Sequence, residues 1–164
     1  MDTTEKVLKG KKILVVDDEP DVLETLEELL PMCEVVKAST FEEGRKQLES
    51  QTYDFVILDI MGINGYALLE IATEKKITAV MLTAHALSPE DTIRSFKGGA
   101  ASYVPKDKIA DIPILLAEIL DAKKKGKSLW SRWMDRMDAY YREKFGPDWK
   151  EKDKEFWDWF TYYT

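Results

Sequence analysis

Cysteine and histidine are nearly missing from this sequence: its 164 residues hold one of each, Cys33 and His85. A lone cysteine excludes an intrachain disulfide and suits a reducing compartment, and Cys33 reads as a small apolar residue. His85 reads as a solvated loop residue rather than a metal ligand. Long apolar runs are also lacking. The charged stretch from Met1 to Lys12 has nothing resembling a signal peptide or a membrane span, so a cytoplasmic location is expected. Basic residues are outnumbered, 24 to 31, and the net charge of −7 argues against a protein that binds nucleic acid by covering phosphates.

What is present divides near Gly126. From Gly126 to Thr164 there are eight Lys/Arg and eight Asp/Glu, so the preceding part holds the whole negative charge. Aromatics run the other way, with 12 of 18, including all five tryptophans, after Gly126. The length allows one ordinary domain plus an appendage. The expected organisation is an N-terminal extension (residues 1–10), a domain at 11–125 and an aromatic helical hairpin at 126–164.

Within 11–125, apolar runs alternate with amphipathic stretches. Ile13 to Val16, Phe55 to Leu58 and Ile77 to Leu82 are continuous blocks, the pattern of parallel strands buried on both faces. Ser102 to Val104 is a fourth run, and Glu34 to Ala38 is weaker, as an edge strand would be. Val22, Leu23, Leu26, Leu29 and Leu30 form one helical stripe, ended by Pro31. Ser39-Thr40 opens a second helix, with Glu42 and Glu43 at capping-box distance. A third spans about Tyr66 to Lys75. Ser88-Pro89-Glu90-Asp91 starts a fourth, closed by Gly98-Gly99. Ile112, Leu115, Leu116, Ile119 and Leu120 mark the fifth, which ends in three lysines. The alternation predicts a doubly wound parallel sheet of five strands with right-handed crossovers.

In such sheets, sites form at the C-terminal ends of strands. Those ends carry Asp17-Asp18, Asp59, Thr83 and Lys106. Three converging carboxylates repel one another, and a hard dication would relieve the repulsion. With a metal beside it, Asp59 becomes a nucleophile toward a phosphoryl group, with Lys106 and the Thr83 hydroxyl available for the phosphoryl oxygens.

KILVVDDEP (Lys12 to Pro20), FVILDIM (Phe55 to Met61), VMLTA (Val80 to Ala84) and GAASYVPK (Gly99 to Lys106) resemble, in order, the four signature blocks of response-regulator receiver domains. The resemblance covers roughly residues 10 to 125. It implies a flavodoxin-like α/β fold with strand order 2-1-3-4-5 and a phosphoryl-accepting role in two-component signalling. It further implies Mg²⁺ or Mn²⁺ at Asp17, Asp18, Asp59 and the Met61 backbone carbonyl. Asp59 is then the phosphoacceptor, Thr83 and Lys106 hold the phosphoryl group, and Tyr103 is the switch aromatic. The donor would be a histidine kinase or a phosphotransfer protein. The resemblance also implies that no external substrate is turned over and that the domain catalyses only its own phosphorylation and dephosphorylation.

Three features depart from that family. The turn Met61-Gly62-Ile63-Asn64-Gly65 is about two residues short, Asp107 stands where a proline is usual after the lysine, and Met61 and His85 occupy the variable positions beside the acyl phosphate. A haloacid-dehalogenase-type phosphatase needs an acid two residues after its nucleophile, where this chain has Met61, which transfers no proton. A docking scaffold that no longer accepts phosphate is the other alternative, and Asp18, Asp59, Thr83 and Lys106 speak against it.

In the tail, Trp130, Trp133, Met134, Met137, Tyr140, Tyr141 and Phe145 share one helical face. After Gly146-Pro147-Asp148, Trp149, Phe156, Trp157, Phe160 and Tyr163 share another, with Trp159 and Tyr162 off it. So short a hairpin cannot bury these rings alone. It must cover its own domain, a second copy in a homodimer, or a downstream protein.

Overall fold

Five blocks of branched and aliphatic residues pair as parallel strands in the computed structural model: β1 Lys12–Val16, β2 Glu34–Ala38, β3 Phe55–Asp59, β4 Thr78–Thr83 and β5 Ser102–Pro105. The sheet order is β2-β1-β3-β4-β5, with β2 at an edge, as its weaker apolar pattern predicts. The structure describes residues 2–84, 89–126 and 130–163, without the side chains of 130–137 and 161–163. The expectations for His85, Ser88, Trp130, Trp133, Met134, Met137, Tyr162 and Tyr163 therefore lie outside the described residues or side chains.

The pleat sorts the core into two layers. Leu14, Val16, Val56, Leu58, Ala79, Met81 and Tyr103 face one side. Ile13, Val15, Phe55, Ile57, Val80, Leu82 and Val104 face the other. Helices α3 (Phe41–Ser50), α4 (Gly65–Glu74) and α5 (Pro89–Lys97) cover the first layer. Helices α1 (Thr3–Leu8), α2 (Pro20–Leu29) and α6 (Ile112–Lys124) cover the second. At α3 the Thr40 hydroxyl caps the Glu43 amide at 3.1 Å, and the Glu43 carboxylate returns to the Ser39 amide at 3.0 Å. The capping box thus closes one residue earlier than its standard form.

Two elements differ from the sequence-based reading. Residues 1–10 contain a helix, α1, capped by Asp2 and anchored by the buried Leu8 against α6. Between Lys106 and α6 the chain also makes a 3-10 turn at Lys106–Asp111.

The tail forms α7 (Trp130–Phe145), a 3-10 turn (Glu151–Asp153) and α8 (Lys154–Tyr163). Gly146, at φ +91°, ends α7 in a conformation that other residues rarely adopt. Of the possible partners for the tail's rings, the structure shows the chain's own domain. Phe160 meets Phe96 of α5 edge-on at 5.2 Å, and Tyr141 of α7 lies against Tyr103 of β5. Trp157, Phe160 and Tyr141 are fully buried, whereas Trp159, off the stripe, is 46% exposed.

Candidate functional site

Strand register gathers the chemistry-bearing residues. Asp59 ends β3 beside Leu82, and Thr83 ends β4 beside Pro105, so Asp59, Thr83 and Lys106 occupy adjacent strand ends. Asp17 follows β1, its amide donating to the Ala38 carbonyl at 3.1 Å. Asp17, Asp59 and Thr83 are buried polar residues at the C-terminal ends of their strands.

Lys106 is the hub. Its Nζ lies 2.9 Å from Asp17 Oδ2, 3.0 Å from Glu19 Oε1 and 3.6 Å from Asp59 Oδ1. The Gly62 amide donates to Asp59 Oδ2 at 3.1 Å, and the Glu19 amide donates to Asp17 Oδ1 at 2.9 Å. Burial holds the Asp17 and Asp59 carboxyls above the ordinary carboxylate range, with Lys106 pulling both the other way. Burial also works against the Lys106 ammonium, but the close carboxylates of Asp17 and Glu19 outweigh it and raise its pKa. The site thus combines anionic oxygens that gain from positive charge with one cation held among them.

The carboxylates of Asp17, Asp18 and Glu19 bring oxygens within 4.8 Å of one another, a possible cation cluster. Asp17 Oδ2 is buried and, among the described residues, has Lys106 nearby but no hydrogen bond of good geometry. An all-oxygen donor set with a lone pair still open suits a hard dication such as Mg²⁺.

Of the expected site residues, the structure gathers Asp17, Asp18, Asp59 and Lys106, with Thr83 at the adjoining strand end. The Met61 side chain points away, 74% exposed. Tyr103 is buried one strand-length from the site, its hydroxyl bonded to that of Tyr141. Glu19 and Gly62 are additions. Glu19 looks like a helix N-cap, but its side chain makes no cap hydrogen bond and turns to Lys106 instead. A Cβ at Gly62 would lie 2.4 Å from Asp18 Oδ1, and one at Gly65 would lie 2.1 Å from the Asp59 carbonyl oxygen. The shortened turn therefore closes over the carboxylates only because both positions are glycine.

This chain belongs to the response regulator receiver domain family, whose model matches residues 13–117. It is 36% identical over 104 residues to a two-component response regulator, ARR18, of Arabidopsis thaliana, covering 59% of this chain but only 16% of that protein. A CheY-like receiver domain protein from Methanospirillum hungatei superposes with a TM-score of 0.65 at 29% identity, covering 72% of this chain and 99% of that one. The response regulator TrrA of Thermotoga maritima, solved in complex with Mg(2+)-BeF, matches at 40% identity and a TM-score of 0.51, over 58% of this chain and 85% of its own. Phosphorylation on an aspartate is the mechanism of the family. Among the described residues, no helix is long and apolar enough to cross a membrane.

Proposed function

We propose that this chain is a cytoplasmic signalling switch that takes a phosphoryl group onto Asp59 from a histidine kinase or a phosphotransfer protein. The observation carrying this reading is the placement of the Lys106 ammonium among Asp17, Glu19 and Asp59 at adjoining strand ends. Asp17, Asp18 and Asp59, with the Met61 carbonyl, would hold Mg²⁺ or Mn²⁺, which supplies charge neutralisation for the phosphoryl oxygens. The chain's own groups do the rest. An Asp59 oxygen forms the bond to phosphorus as the donor's bond to phosphorus breaks, the donor leaving with its electron pair. Lys106 compensates the charge that arrives, and Thr83 offers a hydroxyl to a phosphoryl oxygen. Gly62 keeps the Asp59 carboxylate oriented through its amide. Residues 11–125 act as the receiver, and output passes through protein–protein contact involving residues 126–164.

The test is acetyl phosphate with Mg²⁺, followed by intact mass. The wild type should gain one hydroxylamine-labile phosphoryl group, and Asp59→Asn should gain none. Equal labelling of Asp59→Asn would assign the acceptor elsewhere, and no labelling of either would leave a docking scaffold.

A further inference from the structure

Two elements connect with the carboxylate edge of the sheet, and both touch the tail. β5 carries Tyr103 and leads through Pro105 to Lys106, while α5 follows the strand that ends in Thr83. The Tyr141 hydroxyl, from α7, lies 2.5 Å from the Thr92 hydroxyl of α5 and also bonds the Tyr103 hydroxyl of β5. Thr92, Tyr103 and Tyr141 are each no more than 1% exposed. Behind this trio, Tyr141 stacks on Trp149 at 4.7 Å, Trp149 meets Trp157 at 5.0 Å, and Trp157 meets Phe160, which returns to Phe96 of α5. Lys152 pairs with Glu90 at 2.7 Å at one end of α5, and Lys97 lies over Phe156 at the other.

We propose that Tyr141 is a positioning residue for the Asp59 site. Its hydroxyl, shared with Thr92 and Tyr103, holds β5 where Lys106 rests on Asp17 and Glu19, so a docked tail opposes a phosphoryl group on Asp59. The inference rests on the phosphoacceptor reading above and adds what regulates that site.

The reasoning is local. Lys106 is nearer to Asp17 and Glu19 than to Asp59, so a phosphoryl group on Asp59 must draw it away from two partners. Tyr103 and Lys106 are separated by only Val104 and Pro105, the last residues of a short strand, so movement of one is felt by the other. Buried hydroxyl networks resist partial disruption, because a hydroxyl left without a partner out of water is costly. Coupling between two sites is reciprocal: if a docked tail weakens phosphoryl binding, phosphoryl binding must loosen the tail by the same factor.

Tyr141→Phe keeps the ring stack and removes only the shared hydroxyl. The full chain is titrated with Mg²⁺ and beryllofluoride, the adduct being followed by ¹⁹F NMR and the tail by tryptophan emission. All five tryptophans lie in the tail, so emission reports the tail and not the site. In Tyr141→Phe the adduct should form about fivefold more tightly or better, and the emission change on binding should shrink. Thr92→Val, which removes the partner from the domain side, should act in the same direction. Tyr140→Phe, which removes a hydroxyl from the same helix outside the trio, should match the wild type. Wild-type affinity and emission change in both Tyr141→Phe and Thr92→Val would overturn the inference alone. A wild type that forms no adduct would sink the phosphoacceptor reading and this inference with it.

Discussion

At the scale of single residues, the site is a compromise between burial and charge, and two positions make that measurable. Asp59 is buried, and burial raises its carboxyl in the folded chain above its unfolded value. A carboxyl shifted this way binds more protons when folded, so its ionisation costs stability as pH rises through the window between the two values. Asp59→Asn should therefore melt about 2–4 °C higher at pH 7, roughly 1 kcal/mol for a chain of this size. The gain should fade as pH falls to the ordinary carboxylate range, where wild-type Asp59 is protonated; calorimetry across that range checks it. A gain that stayed constant with pH would mean that charge burial is not its origin. Gly62 gives a second, independent test. The atoms nearest its missing Cβ are those of the Asp18 carboxylate, the far end of an exposed side chain, whereas those nearest a Cβ at Gly65 are backbone. Gly62→Ala should leave the melting temperature within a degree or two but weaken Mg²⁺ binding about tenfold, since a shifted ligand geometry commonly costs 10–100-fold. Gly65→Ala should destabilise the fold by about 1–3 kcal/mol through the backbone clash. Mg²⁺ titration and thermal melts of the two variants separate these effects.

At the scale of elements, the difference between what was legible in the sequence and what was not follows from range. Strands β1, β3 and β4 show as apolar blocks because both faces are buried, and Thr40 announces α3 by chemistry confined to a few residues. Helix α1 shows no such pattern: in TTEKVL only Leu8 is fully buried, and packing on α6 holds it in place. Asp17, Asp59 and Lys106 were legible as a site because each sits where an apolar block stops. Glu19 was not, since Glu-Pro reads equally well as a helix start and only the fold brings Lys106 to it. Tyr141 could be placed on an apolar stripe, but Thr92 and Tyr103 stand 49 and 38 residues away, beyond any local pattern. The stripe of α8 was legible in finer detail, down to Trp159 falling off it. Trp157→Ala should accordingly cost about 3–5 kcal/mol, as removal of a fully buried ring does, while Trp159→Ala should cost under about 1 kcal/mol. Equal costs in urea unfolding would mean that α8 is rotated from the orientation described.

At the scale of the whole molecule, the receiver and its tail behave as one covered surface. The chain exposes 8851 Å², close to the roughly 8300 Å² expected of a compact monomer of its mass. Charge supports the same assembly. The tail is neutral while the preceding part carries the net −7, so docking meets no like-charge repulsion, and Lys152 answers Glu90 directly. Ending the chain after Lys125 would remove the tail rings that meet Phe96 and Tyr103 and the Tyr141 hydroxyl that bonds Thr92. It would not remove any group of the Asp59 site. At about 25 cal/mol per Å² of apolar surface, loss of several ring contacts should lower stability by a few kcal/mol. The uncovered face is apolar and contiguous, so the shortened chain should also self-associate or bind a hydrophobic dye. Mg²⁺ should still bind, because Asp17, Asp18 and Asp59 remain, and beryllofluoride should bind more tightly than in the full chain, since no Tyr141 hydroxyl restrains Tyr103. Calorimetry, light scattering and the beryllofluoride titration together decide the matter. If the shortened chain melts, sediments and binds as the full chain does, the tail neither stabilises the receiver nor restrains its site. If it melts lower but binds the mimic no more tightly, the tail is cover without control.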